Sequence, residues 1–249
     1  MNLLHENGFI HYNLDIIYSE EDKKSLLSEF EFLEEDPYAP ENTSRFRRYA
    51  NAIIIPWLDN KLIWLPTKKS DKGELSGYDQ GNNNPEHNNV RYFNSISSEL
   101  KNTKLLQDIL IDDFNKTFSL KEHNLPIYAG VHIVKVICSD NSKPGFSSPD
   151  CFHQDGEPFT FAHLVKRSPN ALGGDNYIAN VASRNKKLEE VNSSDIISKF
   201  KLQNFLESFA VCDEKVSHYV SHLTLEEKTG ESYRYMILID FSFTKQSIE

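Results

Sequence analysis

The sequence predicts a mainly β fold in which helices pack on the outside of a core built from strands. Two segments with helical spacing of apolar residues lie in the first half of the chain, and short strand-like segments fill the second half. This order is typical of a β core flanked by helices. Apolar residues make up 39% of the 249 residues, which is enough for a sizeable core in one folded unit.

The first helix is predicted over residues 19–35. Ser19 suits the N-cap position, acidic residues fill the first turn, and Pro37 ends the segment. The second helix is predicted over residues 97–118, where leucine, isoleucine and phenylalanine recur on one face. Residues 68–89 between them are polar and rich in asparagine, which predicts a loop, either a lid or a surface loop.

Strand candidates begin at Ile127 with IYAGVHIVKVIC and continue to SYRYMILIDFSF. They are short, rich in apolar and β-branched residues, and separated by glycine, proline, serine or charged turns. We therefore expect a single domain over 1–249, with a helical N-terminal part over about 1–125 and a β core over about 126–245.

The charge balance limits the classes of partner. The chain has 37 acidic and 27 basic residues and a net charge of −10, which argues against binding to nucleic acid or to an anionic membrane. A small-molecule ligand agrees with this balance, because a buried site can differ in charge from the surface. The sequence leaves the oligomeric state open, with a homodimer as one candidate.

The cysteines and the N-terminus predict a cytoplasmic protein. Cys138, Cys151 and Cys212 have no metal-binding or redox spacing, which is typical of reduced thiols. The N-terminal residues lack the basic start and apolar run of a signal peptide, and no apolar stretch reaches the roughly 18 residues of a membrane span.

The segment FHQDGEP contains a candidate metal site. His153 and Asp155 are two residues apart, so on a strand both side chains point to the same face and can reach one ion. A second histidine would complete a two-histidine, one-carboxylate set, which leaves open positions on iron. The spacing alone is weak, because an ordinary hydrogen-bonded pair has the same pattern.

Two later residues strengthen the metal hypothesis. His218 lies in a strand-like segment, and Arg234 opens the most apolar strand of the chain. A buried arginine needs an anion, and its planar guanidinium group suits a carboxylate. That anion is either an internal acid or a bound ligand. His222 rivals His218 for the metal because the two share a strand face, and His163 is a core residue or lies behind the metal ligands.

Beyond these residues, the sequence resembles a known family. The stretches FSSPDCFHQDGEP, SPNALGGDNYIAN, KVSHYV and YRYMILIDFSF, and more weakly RRYA and VRYFNSI, are similar to bacterial Fe(II)- and 2-oxoglutarate-dependent amino-acid dioxygenases typified by L-isoleucine 4-hydroxylase. The likeness covers about the last 40% of the chain well and the rest loosely. GGDNYIAN after HQDGEP is far more specific than the histidine–aspartate spacing.

This resemblance implies a double-stranded β-helix, or jelly-roll, core. It implies that His153, Asp155 and His218 bind Fe(II), that Arg234 binds 2-oxoglutarate, and that O2 is the third reactant. The expected reaction hydroxylates a free L-amino acid and releases succinate and CO2. Because Asp155 keeps the carboxylate ligand, hydroxylation rather than halogenation is expected. Met236 departs from the Ser or Thr common in such oxygenases, and Gly156 is small.

The contacts to the substrate are less specific in sequence. An amino acid needs a cation for its carboxylate, for which Arg91 is a candidate, and an acid for its ammonium group, for which Glu157 or Asp175 is a candidate. His132 either lines the pocket or belongs to the core. The simpler readings are a surface ion pair for Arg91 and a turn for Asp175.

Two other functions fit the sequence. One is the same chemistry on a peptide-bound or carrier-bound residue or on another small metabolite. The other is a jelly-roll binding module without catalysis, which gives no reason to bury Arg234 at this spacing.

Overall fold

The computed structural model describes residues 3–71, 73–79, 89–117, 125–226 and 230–243. Its helices are α1 (Leu3–Asn7), α2 (Glu20–Glu29), α3 (Ser98–Lys101) and α4 (Lys104–Thr117). The hydroxyl of Ser19 accepts a hydrogen bond from the Asp22 amide, and Ser97 caps α3 in the same way. Both predicted helical regions are confirmed, and the second is divided into two helices near Asn102.

Fifteen strands are present within the described residues. They are β1 (Phe9–Asn13), β2 (Ser44–Ile55), β3 (Lys61–Trp64), β4 (Lys68–Ser70), β5 (Gly73–Tyr78), β6 (Arg91–Asn94), β7 (Ile127–Cys138), β8 (Phe159–Arg167), β9 (Ala171–Gly173), β10 (Asp175–Asn180), β11 (Ile196–Lys201), β12 (Glu207–Cys212), β13 (Val216–Val220), β14 (Leu223–Leu225) and β15 (Ser232–Ser242).

The strands form one large sheet and three small ones. The large antiparallel sheet has the order β1-β12-β8-β15-β7-β2-β3, and the small sheets are β11-β10-β13, β14-β9 and β4-β5-β6. A cavity between the large sheet and β10 and β13 is lined from both sides. This arrangement confirms the predicted mainly β class with a jelly-roll core.

The two faces of the large sheet differ in chemistry. On β15, Tyr235, Ile237, Ile239 and Phe241 pack with the helices in the main hydrophobic core. The residues between them face the cavity, namely Arg234, Met236, Leu238 and Asp240. Because side chains alternate along a strand, one sheet supports the helices and lines the cavity at once.

The N-terminal part departs from the helical expectation. Within about 1–125 the described residues include strands β1 to β6 as well as the helices, and β1, β2 and β3 extend the large sheet. The predicted loop at 68–89 likewise contains β4 and β5, while residues 80–88 lie outside the described part. Within the part of the chain that is described, no helix has the length and apolar character needed to cross a membrane.

Candidate functional site

The cavity has a volume of about 150 Å³ and runs between the large sheet and the small sheet β11-β10-β13. Its large-sheet wall comes from β2, β7, β8, β12 and β15, and β10 and β13 form the opposite wall. Charged groups are concentrated in four places along it: a histidine–aspartate cluster, an arginine on β15, an arginine group on β2 and β6, and the pair of His132 and Asp240.

His153, Asp155 and His218 come together in one cluster. Each offers a ligand atom, and these atoms all lie within 4.8 Å of one another. The His153 and His218 Nε2 atoms lie 3.7 and 3.5 Å from the two carboxylate oxygens of Asp155. Two backbone hydrogen bonds of 2.9 and 3.0 Å join His153 to His218, so the bridge between these segments fixes their side chains on one side.

Both histidines can present a ring nitrogen to a cation. The Nδ1 atom of His153 lies 3.0 Å from the Cys151 carbonyl oxygen, which favours a proton on Nδ1 and a free lone pair on Nε2. Burial, aided by His153, lowers the pKa of His218 to about 4. Two neutral imidazoles and one carboxylate are the donor set that suits Fe(II), so the residues present fit the metal.

The carboxylate of Asp213 supports the segment that carries Asp155. It accepts hydrogen bonds from the backbone N–H groups of Asp155, at 3.1 Å, and Gly156, at 2.6 Å. Gly156 has φ +85°, a conformation that favours glycine. Asp213 therefore holds the turn after His153, and Gly156 is small because of the backbone conformation there.

His222 and His163 lie away from this cluster. Strand β13 ends at Val220, so the alternation that would place His222 beside His218 does not continue. The His222 Nε2 atom lies 2.7 Å from Asp150 Oδ1 instead. His163 is fully buried between Asp113 of α4 and Ser208 of β12, with both contacts at 2.8 Å, so it belongs to the core under the helices.

Arg234 lies in the cavity wall at the start of β15. The residue is 3% exposed, and its guanidinium group is 3.5 Å from the Asn176 side-chain oxygen. Its Nε has no hydrogen-bond partner among the described residues. Burial and the charge of Arg167 lower the pKa of Arg234 to about 10. A buried cation with an unused donor fits the carboxylate of a small acid such as 2-oxoglutarate.

The glycine pair in GGDN makes room beside this arginine. Gly173 has φ +69°, and a Cβ there would stand 1.7 Å from the His222 carbonyl oxygen. Gly174 has φ +62°, and a Cβ there would stand 2.8 Å from Arg167 Nη1 and 3.5 Å from Arg234 Cδ. Both positions therefore require glycine, which explains the specificity of the motif in physical terms.

A second arginine group lines the cavity from β2 and β6. The Oδ2 atom of Asp36 lies 2.7 Å from Nε of Arg45 and 3.3 Å from Nε of Arg47, and all three residues are buried. Arg91 is also buried, with its guanidinium carbon 4.8 Å from the centre of the Tyr78 ring. Burial, followed by the charge of Arg47, lowers the pKa of Arg45 to about 10. Here several cations surround one carboxylate.

The four predicted substrate contacts differ in position. Arg91 and His132 line the cavity. Glu157 is buried and Asp175 lies 3.3 Å from Lys201 Nζ, and neither belongs to the described cavity wall. The surface reading of Arg91 is therefore wrong, because the residue is only 6% exposed.

Sequence reasoning missed several residues of the site. Asp240 follows Arg234 by six residues on the same strand face, so alternation along β15 was a usable signal. Arg47 stands in the family-like stretch RRYA, which was a weaker signal. Asp213 had none, because its role depends on a turn packed against a distant segment.

Comparisons with known proteins agree with this site. A model of the 2OG-Fe dioxygenase family matches residues 28–240. The chain is 30% identical to L-isoleucine-4-hydroxylase of Bacillus thuringiensis, over 95% of this chain and 91% of that protein. It is 28% identical to 3(1)-hydroxy-L-isoleucine 4-dioxygenase of Pantoea ananatis, over 88% of this chain and 83% of that one.

A solved structure shows the same likeness in three dimensions. The crystal structure of IDO from Bacillus thuringiensis superposes with a TM-score of 0.72 at 26% identity, covering 97% of this chain and 96% of that one. Since the family match spans most of the sequence and the fold agrees throughout, the chain belongs to the 2OG-Fe dioxygenase family, whose members are enzymes that use Fe(II), 2-oxoglutarate and O2.

Proposed function

We propose that this enzyme hydroxylates an unactivated C–H bond of a free L-amino acid, with release of succinate and CO2. The observation that carries the proposal is the buried arginine group at Arg47 and Arg91, which lines the same cavity as Arg234 but from other strands. A second buried cationic site supports a second carboxylate ligand beside the 2-oxo acid. The names of both relatives, which specify isoleucine or a hydroxylated isoleucine, support the same class.

In this proposal His153, Asp155 and His218 hold Fe(II), and Arg234 holds the far carboxylate of 2-oxoglutarate. The clustering of the three ligand atoms and the unused Nε of Arg234 support these roles. When bound, the metal and the 2-oxo acid supply O2 activation for oxidation of the C–H bond.

The chain's own residues hold the metal ligands in position and exclude water from the cavity. Asp213 keeps the Asp155 turn in place, so the carboxylate needs little rearrangement on metal binding. Apolar side chains line the cavity between the charged groups and exclude water from it, namely Val134, Val136, Ile178, Met236 and Leu238.

The substrate contacts extend the proposal. We assign Arg91 to the substrate carboxylate and His132 to the cavity wall beside the substrate. Glu157 and Asp175 stay predictions for the ammonium group, and the ion pair of Asp175 with Lys201 weighs against the second.

Location and assembly are part of the proposal as well. The three cysteines are free thiols, which supports action in the cytoplasm. Light scattering on the purified enzyme would distinguish a monomer from a homodimer.

A pooled assay tests the function. The enzyme, Fe(II), ascorbate and 2-oxoglutarate are incubated with the standard amino acids, and mass spectrometry searches for a gain of one oxygen with matching succinate. Oxidation of one or a few free amino acids is expected. Succinate formed only with a peptide-bound or carrier-bound residue would replace the proposal with that alternative.

Iron content tests the ligand assignment. His218→Ala should lose nearly all bound iron, because one of three ligands is removed, whereas His222→Ala should keep it. The two histidines are four residues apart, so the second variant is a matched control. Loss of iron in His222→Ala alone would show that the assignment is wrong.

A further inference from the structure

The cavity wall at Asp240 contains a hydrogen-bond acceptor that lacks a donor among the described residues. Asp240 is 3% exposed and lines the cavity from β15, yet no donor among the described residues lies in hydrogen-bonding geometry with its Oδ1 atom. Its Oδ2 atom lies 3.2 Å from Nε2 of His132. A buried carboxylate oxygen without a partner is unfavourable, so this site is suited to a ligand that brings a donor.

The neighbouring atoms are acceptors as well. If His132 Nε2 donates its proton to Asp240, the Nδ1 atom of His132 carries a lone pair, and that atom also has no partner among the described residues. Thr160 stands directly opposite Asp240 in the adjacent strand β8 and lines the same cavity. The Nδ1 lone pair of His132 points away from Asp240, and the Thr160 hydroxyl also bonds to Asp155, so the groups left for one cationic N–H ligand are Asp240 Oδ1 and the lone pairs of the Thr160 oxygen.

The backbone leaves space for this carboxylate. A Cβ on Gly130 would stand 2.5 Å from both carboxylate oxygens of Asp240 and 2.7 Å from the Tyr49 hydroxyl. Gly130 lies opposite Asp240 in β7, and its φ is not in the left-handed region. The side chains of Asp240 and Tyr49 therefore leave no room for a Cβ at position 130, so a glycine in β7 makes space for Asp240.

The arginine group lies at a distance that suits a small zwitterion. Arg47 of β2 pairs with Val134, and Asp240 of β15 pairs with Gly130, so the two residues are four positions apart along β7 and on opposite sides of it. With ordinary strand dimensions their Cα atoms are about 16 Å apart. Both side chains line the cavity and the charge of Arg47 acts on Asp240, so one small ligand in the cavity can lie between them.

We propose that Asp240 receives the ammonium group of the substrate, with the Thr160 hydroxyl as a further acceptor, while Arg47 holds the substrate carboxylate together with Arg91. The site would then require a ligand with a free ammonium group and a free carboxylate on one carbon. This inference rests on the proposed function and specifies its substrate class. Peptide-bound and carrier-bound residues lack one of the two charges, so they would be excluded.

The test compares two ligands on two enzymes. The ligands are the amino acid that gains an oxygen in the pooled assay and the 2-hydroxy acid with the same side chain, which lacks the ammonium group. Their dissociation constants are measured without O2, in the presence of Fe(II) and 2-oxoglutarate, for the wild type and for Asp240→Asn. The wild type should prefer the amino acid by about 30-fold or more, the ratio expected for a charged hydrogen-bonded pair.

Asp240→Asn should bind the amino acid about 30-fold more weakly, while its affinity for the 2-hydroxy acid changes less than about threefold. The preference for the ammonium group should therefore disappear, which a merely structural role of Asp240 does not predict. Unchanged affinity for 2-oxoglutarate, bound near Arg234, confirms that the variant is folded.

Other outcomes separate the inference from the function. A wild type that hydroxylates the amino acid but binds the 2-hydroxy acid equally well would overturn the inference and leave the function standing, as would an Asp240→Asn enzyme that keeps the preference. No oxidation of any free amino acid would overturn both. If Asp240→Asn does not fold, Thr160→Val serves instead, with its iron content measured because the Thr160 hydroxyl also bonds to Asp155. With iron retained it should reduce the preference about fivefold, and an unchanged preference counts against the inference.

Discussion

The cavity holds buried arginines at two places, and the two differ in how their charge is balanced. Arg234 contacts the neutral side chain of Asn176 and has Arg167 as a neighbouring cation, while the carboxylate of Asp175 acts on it without a direct ion pair among the described residues. Arg45 and Arg47 share the carboxylate of Asp36, which is part of the protein. The first site therefore depends on a ligand for its counter-charge, whereas the second is partly neutralised before any ligand arrives.

This difference agrees with the two proposed ligands. A co-substrate required in every turnover can be bound by a cation that makes no direct ion pair among the described residues. A substrate whose identity varies between relatives suits a site whose arginine charges are balanced by a carboxylate of the protein, because the site stays folded when its ligand changes.

Arg234→Met should raise the dissociation constant for 2-oxoglutarate by about 100-fold or more, because a buried charged pair with the far carboxylate is lost. Isothermal titration without O2 measures the change. Iron content should stay at the wild-type level, since the metal cluster is separate. Arg234→Lys should recover part of the affinity, and wild-type affinity in the methionine variant would remove the distinction between the two arginine sites.

Asp36→Asn should lower the free energy of unfolding by about 3–5 kcal/mol, because two buried guanidinium groups lose their shared counter-charge. Urea unfolding measures this loss. Glu34→Gln is the matched control, since Glu34 also pairs with an arginine, Arg48, but its side chain is 43% exposed. That control should change stability by less than about 1 kcal/mol, and equal losses in both variants would contradict the prediction.

The same carboxylate predicts a pH dependence of stability. Burial alone would raise the pKa of Asp36, but Arg47 and Arg45 outweigh burial and hold it below the ordinary value of 3.8. A lowered folded pKa adds stability that is complete above 3.8 and lost as the pH falls through the folded value. Urea midpoints between about pH 2 and 5 should fall less steeply in Asp36→Asn than in the wild type.

Arg91→Gln should have the smallest effect, raising KM for the amino acid about 5- to 10-fold, because Arg45 and Arg47 remain nearby to attract the carboxylate. The KM for 2-oxoglutarate should not change. Steady-state assays of both substrates measure the two values, and Lys69→Gln, an exposed change on β4 of the same small sheet, is the control. An equal rise in both KM values would show that the two arginine sites are not independent.

Local patterns predicted much of this molecule. Helical spacing identified α2 and α4, the Ser19 cap marked the start of α2, and strand-like composition identified β7 and β15. The β strands of the N-terminal part were missed because β4 and β5 are short, polar and stabilised by pairing with β6. Their sequence carries little of the apolar signal on which strand prediction depends.

The site was predictable where one segment carries the information. His153 and Asp155 are neighbours in sequence, and Arg234 stands out as a charge in an apolar strand. The support from Asp213 and the balance at Asp36 depend on contacts between distant segments, which no local pattern encodes. His222 shows the opposite error, because alternation was extended beyond Val220, where β13 ends.

The alternation of the large sheet also affects how such an enzyme can change during evolution. The even-numbered residues from His132 to Val136 on β7 and from Arg234 to Asp240 on β15 face the cavity, and the odd-numbered ones from Ile127 to Ile133 and from Tyr235 to Phe241 pack under the helices. Substitutions at even positions can therefore alter ligand preference while leaving helix packing intact. A one-residue deletion within β15 would exchange the two sets, so new substrate ranges are expected to arise by replacement in these strands rather than by changes in length.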